Sequence, residues 1–310
     1  MQAAASKRAA AAVAERYAGH VAELKSFLEA GNGRTVVLTG AGVSTDSGIP
    51  DYRGPNGVYM RNKDFRPLQF QEFVGAHTYR QRYWARSFLG WPKIENSFPN
   101  SSHRALAQLQ RDGLISHLLT QNVDRLHAKG GAQHVVELHG SLYDVECQAC
   151  KHVETREDYQ RVLAKLNPKV ANWSLLHPGE EAGDVASSVN PDGDVDITWN
   201  YDDFGYPACG QCGGLMKPKY QLTGLQCSRV VFFGENLPPH VRNQSVECID
   251  DADALLVVGS SLKVFSAMRL VNRARQRGLP LAILNLGPTR ADDVCDLRID
   301  APCSQVLSSL

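Results

Sequence analysis

The sequence predicts an α/β fold: a Rossmann-like, doubly wound, mostly parallel sheet with a small inserted module. Three observations predict it. Short apolar runs recur at Thr35–Leu38, Ile115–Thr120, Val135–Leu138, Ala254–Val258 and Leu281–Asn285. Helical spacing lies between several of them, and strands alternating with helices imply a parallel sheet covered on both faces. The alternation breaks between Cys147 and Cys212, a stretch that holds two CxxC pairs and marks the insert as a zinc-binding module.

Val13, Tyr17, Val21, Leu24 and Leu28 recur at helical spacing, and Gly31-Asn32-Gly33 ends that helix. The run Thr35-Val36-Val37-Leu38 is a buried strand that feeds directly into Gly40-Ala41-Gly42. Later helices span Ser102–Arg111, closed by Gly113, and Val264–Arg277, closed by Gly278. The expected organisation is a tail over residues 1–20, a Rossmann-like domain over 21–146 and 213–310, and the module over 147–212. The module includes a polar, Pro/Gly/Asp-rich span around Pro178–Gly193. The tail is Ala-rich, with Lys7 and Arg8 and no acid before Glu15. It reads equally as a transit-peptide remnant or as the frayed start of the first helix.

At 310 residues and 43% apolar, the chain has room for one large domain and a sizeable core. Lys+Arg and Asp+Glu are 33 each, so net charge gives no case for nucleic acid or anionic lipid as the main partner. No apolar run is long enough to cross a bilayer. Neither a signal-peptide core nor a small secreted scaffold is evident, so the eight cysteines fit a reducing compartment. A monomer is expected.

Five constellations carry candidate chemistry. In Gly40–Arg53, glycines after a first strand let the backbone turn tightly and approach a pyrophosphate, and a helix start there would offer free N–H groups. Thr45 stands where GxGxxG has its third glycine, and a plain tight βα turn explains the same residues. Thr120–His127 follows a strand; Gln121, Asn122 and Asp124 could grip a ribose and a carboxamide, or simply cap a helix. His139, in Leu138-His139-Gly140, suits general-base work on a sugar hydroxyl. Among the other histidines, His127 is ambiguous and the rest read as surface or core residues. Gly259-Ser260-Ser261 and Asn285-Leu286-Gly287 stand at strand ends and suit phosphates and ribose, or are ordinary turns. The pairs Cys147/Cys150 and Cys209/Cys212 make one tetrahedral thiolate site with no position left for water, so its zinc is structural.

In succession, GAGVSTDSGIPDYRG, TQNVDRLH, ELHG, the two CxxC pairs, VVFFGE, GSS and NLG resemble the sirtuin family from about residue 20 to the C-terminus. Arg82–Arg86, Gly90-Trp91-Pro92, the long insert and Leu284–Arg290 resemble its class II, mitochondrial sirtuin-4-like branch. The resemblance implies NAD⁺ across the carboxyl edge of the sheet. It places Gly40, Ala41, Gly42, Ser44, Asp46, Pro50, Asp51, Tyr52 and Arg53 at its phosphates and nicotinamide ribose. Gln121, Asn122, Val123 and Asp124 would line the nicotinamide pocket, and Gly259, Ser260, Ser261, Asn285, Leu286, Gly287 and the backbone of Cys303 the phosphates and adenosine half. His139 matches the catalytic base. The implied partners are acyl-lysine proteins, whose acyl oxygen displaces nicotinamide and whose acyl group ends on ADP-ribose. The implied location is the mitochondrial matrix, with the cytoplasm as the alternative.

Two points concern the substrate. Tyr83 and Arg86 lie three apart on a predicted helix and resemble the Tyr-x-x-Arg pair with which class III sirtuins bind acidic acyl groups; a surface helix explains them equally. The strand and turn Val231, Phe232, Phe233, Gly234 and Glu235 match the family's peptide-binding segment. Here Lys219–Arg229 intervene before it, where the family runs straight on from Lys-Pro. That segment would crowd the cleft, loop out harmlessly, or be a gene-model artefact. The polar insert Pro178–Pro207 would reach the acyl channel. Competing functions are NAD⁺-dependent mono-ADP-ribosyl transfer, hydride transfer and a non-catalytic zinc module. Thr45 argues against the second, and His139 with Gln121–Asp124 against the third.

Overall fold

The computed structural model describes residues 2–176, 190–195, 200–221 and 227–310. Much of the predicted span Pro178–Gly193, and part of the insert Pro178–Pro207, lies outside them.

A six-stranded sheet forms the larger layer, in the order β10-β9-β8-β1-β2-β3. Its strands are β1 (Thr35–Thr39), β2 (Ile115–Thr120), β3 (Val135–Glu137), β8 (Ala254–Val258), β9 (Leu281–Leu284) and β10 (Leu297–Ile299). Every pairing in it is parallel. The continuous apolar runs are explained by burial on both faces. On β1, Val36 and Leu38 pack with Val241, Ile249, Leu270 and Val271 of the helices Pro239–Asp250 and Phe265–Gln276. Val37 faces the opposite side, with Leu24, Leu28, Leu106, Val306 and Leu307. The sheet is thus doubly wound. The order reverses beside β1, which places the topological switch between β1 and β8.

The first helix runs Gln2–Ala30, so residues 2–20, expected as a tail, continue it. β10 had no clear apolar run to announce it; Arg298 interrupts its three residues.

The cysteine-bearing part is a second sheet, in the order β5-β4-β6-β7 and antiparallel throughout. It comprises β4 (Asp144–Cys147), β5 (Val153–Thr155), β6 (Met216–Gln221) and β7 (Cys227–Arg229). Its strands therefore run past both expected bounds, 147 and 212. The added segment Lys219–Arg229 is accounted for in its described part by the β6–β7 pairing, which extends this sheet at its edge. Trp84, Phe88, Tyr159, Leu163 and Phe204 join the sheet's Val145 and Met216 in one core against the helix His77–Glu95.

Candidate active site

Parallel strands end together, and their ends open onto one cavity of about 1670 Å³. Gly40 follows β1, Gln121 follows β2, His139 comes two residues after β3, and Gly259 and Asn285 follow β8 and β9; all line it. Two glycines are required by close approach at the switch point. Gly259 has φ +60°, and a Cβ there would meet the Val43 amide at 2.6 Å. A Cβ on Gly42 would meet the Gly259 carbonyl at 2.9 Å, the same oxygen that accepts the Gly42 N–H.

His139 is oriented at both nitrogens. Nδ1 lies 2.9 Å from the Gln121 carbonyl, which only accepts, so the proton sits on Nδ1. Nε2 then keeps its lone pair and accepts from the Ser266 hydroxyl at 2.7 Å. Burial lowers the pKa of the imidazole below its ordinary value, against a smaller opposing effect of the Gln121 bond, and keeps it neutral. Ser266 was not singled out in the sequence; it sits 127 residues from His139, and only the fold brings them together.

The glycine turn is anchored from behind. Ser44 donates to Asp124 at 2.7 Å and accepts from Asn122 Nδ2 at 3.1 Å. Asp124 also accepts the Leu126 N–H. Asn100 Nδ2 donates to the Val43 carbonyl, and His103 Nε2 lies 3.4 Å from Ser44 Oγ. The capping box formed by Asn100 and His103 was the available signal for those two residues. Gln121 Nε2 donates to Ser260 Oγ at 2.8 Å, tying the ends of β2 and β8 together.

Of the predicted nucleotide residues, Gly40, Ala41, Gly42, Asp51, Tyr52, Arg53, Gln121, Asn122, Val123, Gly259, Ser260, Ser261, Asn285, Leu286 and Gly287 line the cavity. Ser44, Asp46, Pro50, Asp124 and Cys303 do not. Ser44 and Asp124 hold the turn instead. Cys303 lies behind β9, with its thiol on the Leu284 carbonyl. His127 is a core histidine: its Nε2 is 2.9 Å from Thr39 Oγ1, and burial lowers its pKa to about 4.

On the other wall, Tyr83, Val231, Phe232, Phe233, Gly234 and Glu235 line the cavity. Val231 N–H donates to the His139 carbonyl, so this segment runs beside the histidine; it is not the strand expected, since β7 ends at Arg229 and Phe233 forms only an isolated bridge to Gln69. Glu235 turns inward, ion-paired with the buried Lys217 and accepting the Phe232 N–H. Arg86 is a correction to the expected acyl-binding pair: it does not face the cavity. It is buried in an ion pair with Asp194 at 2.9 Å. The turn that carries Asp194 is tightly seated. A Cβ on Gly90 would meet the Gly193 carbonyl at 2.3 Å, and one on Gly193 would meet Leu142 at 2.4 Å. The same turn directs Asp192 to the cavity wall, with Oδ1 buried and without a hydrogen-bond partner among the described residues. Its carboxyl pKa is pushed well up, first by burial and then by Asp194.

The sulfurs of Cys147, Cys150, Cys209 and Cys212 lie within 4.8 Å of one another. The closest pairs are 3.5 and 3.6 Å apart, the spacing of four thiolates about one tetrahedral zinc. The donor set fits zinc, and all four positions are filled by protein. Among the described residues, no helix is long and apolar enough to cross a membrane.

Comparison with known proteins adds four findings. The sequence model of the Sir2 family matches residues 40–266. An NAD-dependent protein deacylase SIR4 of Batrachochytrium dendrobatidis is 54% identical over 93% of this chain and 92% of its own length. The Drosophila melanogaster NAD-dependent protein deacylase Sirt4 is 43% identical over 89% and 81%. Among solved structures, a Sir2 complex with p53 peptide and NAD⁺ superposes with a TM-score of 0.64 at 29% identity, covering 92% of this chain and 94% of that one.

Proposed function

Since the chain belongs to the Sir2 family, among its Sirt4-like members, we propose that it is an NAD⁺-dependent protein-lysine deacylase that releases nicotinamide and passes the acyl group to ADP-ribose. The observation that carries this reading is His139: a neutral, half-buried imidazole, with its basic nitrogen fixed by the tautomer, where five strand ends converge on one cavity.

Bound NAD⁺ would supply an electrophilic sugar carbon and a leaving nicotinamide. Gly40, Ala41 and Gly42 offer an approach for its phosphates with no side chain larger than a methyl, and Gln121 and Asn122 supply amides for its nicotinamide side. Nε2 of His139 takes the proton of a ribose hydroxyl, and Ser266 must release that nitrogen when the sugar arrives. The edge of Val231–Gly234 receives the acylated peptide. Bound peptide and NAD⁺ together would cover the cavity and keep water from competing for the sugar carbon. Tyr83, whose phenol burial keeps protonated, and Asp192 line the same cavity, which supports them as groups that would read the far end of the acyl chain. Zinc at the four cysteines stabilises the small sheet and takes no part in the chemistry. The basic, acid-free start with Lys7 and Arg8 supports a mitochondrial matrix location, which a fluorescent fusion of the full chain would test.

The functional test is a panel of acyl-lysine peptides with NAD⁺, read by nicotinamide release and by product mass. Stoichiometric O-acyl-ADP-ribose is expected with at least one acyl group. Release from none of them, or ADP-ribose found on the protein instead, would overturn the reading.

A further inference from the structure

The net charge of zero conceals a local imbalance. One stretch of cavity wall is formed by residues 236–242, leading into the helix Pro239–Asp250, and by 263–269, at the start of the helix Phe265–Gln276. It presents Arg242, Lys263 and Arg269, with His240, and contributes no Asp or Glu. Among the described residues, no carboxylate lies within 4.0 Å of Arg242, Lys263 or Arg269, although ten other ion pairs of the chain meet that distance. The acids elsewhere on the cavity wall are engaged. Asp194 holds Arg86, Glu235 holds Lys217, Asp51 accepts the Gly54 N–H and Asp300 the Gly287 N–H. Asp192 is kept protonated-prone by burial.

We propose that this wall selects acyl-lysines flanked by acidic residues, with Arg242, Lys263 and Arg269 as the groups that receive them. The inference rests on the deacylase reading and names a substrate class for it. Its location supports it. Arg269 Nε donates to the Ser266 carbonyl at 3.3 Å, and Ser266 Oγ bonds His139, so the cluster stands one residue behind the catalytic imidazole. Arg269 is braced by Ser245 Oγ at 2.9 Å, which fixes its guanidinium. Two guanidiniums held near each other without a counter-charge repel; burial, and then Arg242, lower the pKa of Arg269. A carboxylate arriving beside the acyl-lysine relieves that repulsion. The glycine turn suited to phosphates lies at the switch between β1 and β8, so the cations are left for the peptide.

The experiment uses the full chain and three labelled peptides with the same acyl-lysine and neutral, acidic or basic flanks. Binding is read by fluorescence anisotropy, and turnover by nicotinamide release. Exposed charge pairs each contribute about two- to fivefold. The acidic peptide is therefore expected to bind about tenfold more tightly than the neutral one at low salt, and the advantage to shrink as salt rises. Reversing two exposed charges, Arg242→Glu with Lys263→Glu, should invert the order of acidic and basic peptides. Equal binding and turnover of all three, or an order unchanged in the double variant, would overturn the flank selectivity while leaving deacylation standing. No nicotinamide release from any peptide would overturn the deacylase reading and this inference with it. Capture of a single-stranded oligonucleotide or an anionic vesicle with no preference among the peptides would also overturn it.

Discussion

The residues on the nucleotide side of the cavity come from turns that directly follow β1, β2, β8 and β9, whereas those on the substrate side come from segments far apart in sequence. On the first side, backbone and small side chains are fixed by hydrogen bonds without ion pairs, such as Ser44 to Asp124 and Gln121 to Ser260. On the second, two cations are neutralised in pairs, Arg86 with Asp194 and Lys217 with Glu235, Arg242, Lys263 and Arg269 have no carboxylate within 4.0 Å among the described residues, and the wall leans on the cysteine-bearing sheet. A strand end positions its next residue at no extra cost in order, so the nucleotide side is held by the main sheet with the capped start of the helix Ser101–Arg111 behind it. The substrate side needs a second core, and its specificity is open to change without disturbing the first.

Removing the zinc should break this contrast most severely. A structural zinc contributes folding free energy directly, so chelation or Cys147→Ser is expected to unfold the small sheet and abolish peptide binding. ADP-ribose binding, read by calorimetry, should survive better; equal loss of both would show that the two sides are not separately held. Next in size, His139→Ala should lower turnover by about 10²–10⁴-fold, the usual contribution of a general base, while melting temperature changes little. Retained turnover would remove the base assignment.

Asp124→Ala strips an acceptor from Ser44 and from the Leu126 N–H. An unsatisfied buried donor costs about 1–3 kcal/mol, and the expected signature is a KM for NAD⁺ that rises more than the KM for peptide. On the substrate side, Asp194→Ala should release Arg86. Preference for carboxylated over acetylated lysine is then expected to rise severalfold, through a charge-assisted pair of the kind the sequence suggested. No change in that ratio would place Arg86 out of the acyl group's reach. The smallest effect concerns pH. Because burial lowers the His139 pKa, the protonated, inactive form should accumulate only below the ordinary value of about 6.5. The acid limb of kcat/KM should therefore fall below that pH; a limb above it would contradict the burial argument.

The same contrast decides how much was legible in the sequence. Gly40, Gln121, His139 and Gly259 were found because each adjoins an apolar run that had to be a strand, and adjacency in a parallel sheet fixes their placement. The cysteine pairs were found because thiolate spacing is itself the signal. Arg86 was misplaced because its partner, Asp194, lies 108 residues away in a polar insert whose path no periodicity reveals. Ser266 and the cluster of Arg242, Lys263 and Arg269 were missed for the same reason: tertiary packing alone brings them to the cavity that His139 lines. The strands β4 to β7 were missed because they are short and mostly polar, and they exist only through the sheet they form.

The most direct test of the central claim is the product balance of the purified chain with NAD⁺ and an acyl-lysine peptide, run beside its His139→Ala variant. The account predicts one nicotinamide and one O-acyl-ADP-ribose for each lysine freed by the unaltered chain, and neither deacylated peptide nor O-acyl-ADP-ribose in quantity from the variant. Free acyl acid in place of O-acyl-ADP-ribose, or an undiminished yield from the variant, would contradict it.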